Sequence, residues 1–114
     1  GKLIMGYAAQ SNLKRVALEC GGKSPQIVME DCPDLDAAAQ AAAWGVFYDQ
    51  GQVRTAAPRH LVQNSIKNDF LEKVAAIAKD LKPGDPLDPE TSFGAMVDEA
   101  QMNTVLSYIN KGEA

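Results

Sequence analysis

The sequence predicts an α/β fold: a parallel sheet fragment of three-layer type with flanking helices. Two observations carry that expectation. Three short apolar runs of strand length alternate with segments whose apolar residues recur at helical spacing. The central run, Gln26-Ile27-Val28-Met29-Glu30, is also nearly continuous in apolar residues, as a strand buried on both faces would be.

Taken in order, Gly1 to Gln10 reads as a helix with Leu3, Ile4, Tyr7 and Ala8 on one face, stopped by Ser11-Asn12. A helix opening on a glycine at residue one suggests a chain cut from something longer. Arg15 to Glu19 reads as a short strand ending at Gly21-Gly22. Gln26 to Glu30 is the second strand. Asp34 is a suitable N-cap for a helix with Leu35, Ala38, Ala39, Ala42, Val46 and Phe47 on one face, running to about Gln50 and ended by Gly51. Its alanine-rich middle allows close packing. His60-Leu61-Val62-Gln63 is the third strand. From Ser65 to Lys82 runs the clearest helical pattern, with Ile66, Phe70, Val74, Ile77, Ala78 and Leu81 on its apolar face. Lys79 and Lys82 there suit the negative end of the helix dipole. Pro83-Gly84 stops it, and Asp85 to Phe93 is a proline-rich connection. Asp98 and Gln101 resemble a capping box ahead of a last stripe of Met102, Val105, Leu106 and Ile109.

Composition narrows the function classes. The 114 residues allow at most one domain, and 46% apolar with 23% charged residues is ordinary for a globular chain. A net charge of −4 gives no basic face for nucleic acid. No apolar run approaches the roughly 20 residues of a membrane span, and the opening residues carry no signal-peptide pattern. Two cysteines without a tight framework read as reduced thiols, so the cytosol is the expected compartment. One histidine and no Cys-x-x-Cys leave no metal site.

Two stretches carry the chemistry. In Leu18-Glu19-Cys20-Gly21-Gly22-Lys23-Ser24-Pro25 a carboxylate sits where an apolar run breaks on paired glycines, which allow backbone angles and approaches that other residues do not. By itself this reads first as a surface turn with Glu19 solvated. The second stretch is Phe47-Tyr48-Asp49-Gln50-Gly51-Gln52-Val53-Arg54-Thr55-Ala56-Ala57-Pro58-Arg59. Together they resemble the paired signatures of the aldehyde dehydrogenase superfamily, Leu-Glu-x-Gly-Gly-Lys-Ser-Pro and Phe-x-x-x-Gly-Gln-x-Cys-x-Ala. The resemblance runs through the whole chain, including Gly84-Asp85-Pro86-Leu87-Asp88-Pro89. Asn12 to Val16 and Asp31 to Asp34 look closest to broad-range and aminoaldehyde-type members.

The resemblance implies a piece of an enzyme that oxidises an aldehyde to a carboxylate with NAD or NADP. A cysteine thiolate attacks the carbonyl, hydride leaves to the nicotinamide, and water activated by a carboxylate releases the acyl group. Residues 1–19 would be the tail end of the cofactor-binding domain and 20–114 the first half of the catalytic domain. Glu19 maps to the general base, whose partial burial would raise its pKa toward working pH. Gly1 looks like the last glycine of a Gly-x-x-x-x-Gly loop beside the nicotinamide. Cys20 and the adjoining Gly21 fall where the family's backbone meets that ring. Gln101 matches a position that touches the cofactor's ribose, and is explained equally well as half of a capping box. Cys32 reads as a structural or idle thiol, and His60 as a strand-end residue without a role.

One departure is serious: Arg54 stands where the family keeps its nucleophilic cysteine. A guanidinium stays protonated and cannot form the thiohemiacetal, and its side chain would fill the substrate tunnel. The chain as written is expected to be inactive and to hold no cofactor tightly alone. The full-length form is expected to take a small aldehyde and to form a homo-oligomer. The strand edges are expected to be exposed in the isolated chain, favouring association. An alternative from another class is a non-catalytic binding or assembly module, in which the Arg54 cation holds a carboxylate ligand.

Overall fold

The computed structural model describes residues 1–114, in the order helix α1 (Lys2–Gln10), strand β1 (Pro25–Val28), helix α2 (Leu35–Phe47), strand β2 (Arg59–Val62), helix α3 (Lys67–Lys79) and helix α4 (Glu99–Glu113). The centre is a βαβ unit. β1 and β2 pair in parallel with Pro25 opposite Arg59 and Val28 opposite Val62, and α2 supplies the crossover that a parallel pair requires.

The core lies between this sheet and two helices. Asp34 caps α2 by accepting the Ala37 N–H at 2.9 Å, the N-cap arrangement that its sequence position predicts. Ala39 and Ala42 on α2 are fully buried, together with Val28 of β1 and Phe70 of α3. Small residues on α2 let the helix approach closely, and Phe70 is the one large side chain that fills the space between the layers. Lys73 on α3 pairs with Asp36 on α2 across the top of this contact.

Several expectations require correction. The strand expected at Arg15–Glu19 is absent: that segment is irregular, because no other strand of the chain lies alongside to take its hydrogen bonds. The sheet therefore has two strands rather than three, each with one outer edge unpaired. The β1 run is not buried on both faces. Val28 points into the core, whereas Ile27 and Leu61, on the opposite face, are more than half exposed. With α2 and α3 covering one face, the architecture is α/β without the third layer. α2 ends at Phe47 rather than near Gln50, and α3 runs from Lys67 to Lys79 behind a 3-10 turn at Asn64–Ile66, shorter than the Ser65–Lys82 pattern.

Outside the βαβ unit the chain is open. α1 and α4 contain no buried residue, although Asp98 caps α4 by accepting the Gln101 N–H at 2.7 Å. Only five residues are buried, and the radius of gyration is 18.6 Å against about 13 Å for a compact chain of this length.

Candidate functional site

The parallel register assembles the site. Strands paired in parallel enter the sheet from the same end, so the segments preceding β1 and β2 are neighbours. Glu19 precedes Pro25 and Arg54 precedes Arg59 by nearly equal lengths of chain, and those two strand residues are partners. The junction is reinforced by the Arg59 Nε–H, which donates to the Lys23 carbonyl at 2.9 Å. Beyond it, Arg54 Nη1 donates to Glu19 Oε2 at 3.0 Å. Two sequence signatures separated by α2 thus meet at one point.

The pair borders an open recess of about 280 Å³ lined by Glu19, Cys20, Gly21, Ser24, Arg54 and Thr55, with Gly22 completing it. Gly21 sits at φ +73°, the left-handed region in which glycine carries no steric penalty. This lets the chain turn immediately after Glu19 and Cys20. The wall is polar, and the carboxylate and guanidinium offset one another's charge.

The partial burial expected of Glu19 is not found: its side chain is 85% exposed, and that of Arg54 is 63% exposed. The irregular segment preceding Glu19 leaves nothing to cover it. The Arg54 side chain folds back onto Glu19. Cys20 is an exposed free thiol. A Cβ added at Gly1 would lie 3.2 Å from Cys20 Sγ and 3.3 Å from Leu18 Cδ1, so the start of α1 and the glycine turn are in close approach. Gly1, Cys20 and Gly21, all expected near a nicotinamide, therefore cluster at one edge of the recess. Gln101 is not among the residues lining it; its backbone serves the α4 cap.

The two residues read as idle have structural surroundings. Cys32 packs against the core cluster and donates weakly to the Asp34 carbonyl at 3.5 Å. The His60 ring lies 6.2 Å from that of Phe70, centroid to centroid, with its buried Nδ1 lacking a hydrogen-bond partner. No group of three or more His, Cys, Asp or Glu is gathered for a metal, and no helix is long and apolar enough to cross a membrane. Arg59, which fastens the two signatures together, carries no motif signal; its role becomes visible only once the strand register is known.

A carboxylate and a guanidinium from two separate signatures are thus brought together by a parallel βαβ unit beside a glycine turn. The chain belongs to the aldehyde dehydrogenase family, whose sequence pattern matches residues 1–114. It is 48% identical over 114 residues to the NADP/NAD-dependent aldehyde dehydrogenase PuuC of Escherichia coli, an alignment covering 100% of this chain and 23% of that protein. The crystal structure of gamma-glutamyl-gamma-aminobutyraldehyde dehydrogenase from Burkholderia cenocepacia matches with a TM-score of 0.90 and 58% identity, covering 98% of this chain and 23% of that one. An indole-3-acetaldehyde dehydrogenase solved in complex with NAD+ matches with a TM-score of 0.90 and 56% identity over the same shares. The chain thus spans 23% of the length of these relatives.

Proposed function

We propose that this chain is the segment of an NAD(P)-dependent aldehyde dehydrogenase that carries both the general base and the nucleophile position, with the latter occupied by arginine. The observation that carries the reading is the meeting of Glu19 and Arg54 at 3.0 Å across two separate signatures. In this reading Glu19 takes the proton from the water that releases the acyl group, and residue 54 is the position from which a thiolate attacks the aldehyde carbon. Arg54 has no lone pair to offer that carbon, so the chain as written does not oxidise aldehydes.

The residues clustered around the recess fit a nicotinamide in part. The close approach of Gly1 to Cys20 and the left-handed turn at Gly21 put these three residues side by side. Gly1, Cys20 and Gly21 would hold the ring, which when bound supplies the hydride acceptor. Gln101 is assigned to the ribose by motif alone. Residues 1–19 belong in this scheme to the cofactor domain and 20–114 to the catalytic domain. The whole protein takes a small aldehyde, works as a homo-oligomer and resides in the cytosol, a compartment that suits the two free thiols.

The test is a chimera in which these 114 residues replace the matching segment of the Burkholderia cenocepacia enzyme. Aldehyde-dependent NADH formation is expected to be absent with Arg54 and to appear on Arg54→Cys. Silence from a folded, NAD-binding Arg54→Cys chimera would overturn the enzymatic reading and favour the binding module.

A further inference from the structure

The segment between α2 and residue 54 adopts a backbone that its sequence does not favour. After Phe47, Asp49 (φ 49°, ψ 47°) and Gln50 (φ 55°, ψ 28°) are both left-handed, followed by Gly51 at φ +76°. A glycine alone suffices to end a helix in this way. Two preceding side chains in the same region are uncommon and persist where surrounding structure holds them.

The holding contact is made by Gln50. With its amide oriented to satisfy both ends, the oxygen accepts the Gly94 N–H at 2.9 Å, and the nitrogen donates to Asp49 Oδ1 at 3.1 Å and to the Asp49 carbonyl at 3.2 Å. A Cβ on Gly94 would come within 2.9 Å of the end of that amide, so the contact needs glycine on the far side. Gly94 is itself on a fixed support. The Gly84 N–H donates to the Phe93 carbonyl at 3.1 Å, the Phe93 N–H to the Lys82 carbonyl at 3.1 Å, and the Lys82 N–H to Ser92 Oγ at 2.8 Å. These bonds tie the two ends of the strap between Lys82 and Phe93 to each other, just after α3.

From this anchor the chain proceeds through two turns, closed by the Gln52 N–H on the Asp49 carbonyl at 2.9 Å and the Ala56 N–H on the Val53 carbonyl at 3.2 Å. Residue 54 lies inside the second. Its loop is fastened at one end by β2 and at the other by Gln50. We infer that Gln50 is a positioning residue for residue 54, acting through the backbone of Gly94. The inference rests on the proposed reading only in taking residue 54 as the reactive position.

The experiment is amide hydrogen exchange and side-chain NMR on the 114-residue chain, reading the Gly94 N–H and the Arg54 guanidinium paired with Glu19. Gln50→Leu is expected to speed Gly94 exchange by about tenfold, the upper range for losing one hydrogen bond, and to shift the Arg54 signals toward those of a Glu19→Gln chain, with α2 and α3 amides unchanged. Unchanged Gly94 exchange in Gln50→Leu overturns the tether. Faster exchange with unmoved Arg54 signals overturns the positioning role. If Gln50→Leu disturbs the fold, Gly94→Ala decides: it displaces only the end of a flexible side chain, and Arg54 signals that shift support the inference whereas signals that stay refute it. The readout is geometric, so its failure leaves the enzymatic reading intact, and an inactive chimera leaves the tether intact.

Discussion

Replacing Phe70 by alanine removes the only large side chain in the core. Phe70 is 1% exposed and packs with Val28, Ala39 and Ala42. A phenylalanine buries roughly 150–250 Å², which at about 25 cal/mol per Å² corresponds to roughly 4–6 kcal/mol for the whole side chain. Truncation to alanine in well-packed cores costs about 3–5 kcal/mol. The upper part of that range applies, because two of the neighbours are alanines whose side chains are too short to collapse into the void. A compact domain of this length would have a stability of roughly 6–17 kcal/mol, and a chain with five buried residues belongs at or below the bottom. Phe70→Ala is therefore expected to leave the chain marginally stable at most. In urea, monitored by circular dichroism, the midpoint should fall by at least about 1 M for an m-value of roughly 1–3 kcal/mol/M. A midpoint within about 0.3 M of the parent would refute the claim that one aromatic side chain joins the sheet to both helices. The consequence for function is direct, since the same sheet register brings Glu19 to residue 54.

Three further outcomes follow from individual contacts. Lys73 has its pKa raised above the ordinary lysine value of 10.5, first by its hydrogen bond to Asp36 and then by the charges of Asp36, Asp69 and Asp34, with desolvation opposing. Its contribution is complete below the unfolded-state value and lost as pH rises through the folded one, so an alkaline loss of stability is expected that disappears in Lys73→Met, measured by urea midpoints across pH. The Glu19–Arg54 pair is exposed on both sides, so a double-mutant cycle should give a coupling below about 1 kcal/mol that vanishes in molar salt; a larger, salt-resistant coupling would contradict the open recess. His60→Phe keeps a ring against Phe70 and removes the unpartnered Nδ1, so thermal unfolding should shift upward or by less than about 2 °C downward, whereas a drop of about 10 °C would mean that Nδ1 has a partner in solution.

What could be read from residues alone was whatever local pattern dictates. The Asp34 and Asp98 caps, the apolar stripe through Phe70 and the strand segments at Gln26–Val28 and His60–Val62 each follow from short-range rules and recur in the fold. The two signatures could also be recognised, through their resemblance to a family pattern that is contiguous in sequence. What local pattern does not contain is whether a partner exists. Val16-Ala17-Leu18 has a strand's composition, yet forms none because nothing lies alongside it; for the same reason Glu19 lacks cover and Ile27 faces outward. The Gln50–Gly94 contact was invisible for a related reason: it joins residues far apart in the chain through a side chain that, on pattern alone, continues α2.

The most direct test concerns the two residues that the register brings together. In the Arg54→Cys chimera with the Burkholderia cenocepacia enzyme, Glu19→Gln should leave the first NADH equivalent per site intact, released as a rapid burst, while slowing later turnovers by about 10²–10⁴-fold, since the acyl group then waits on unactivated water. Steady turnover at the unsubstituted rate, with no burst, would show that Glu19 does not act on the group held at residue 54, and the account of a shared site would fail.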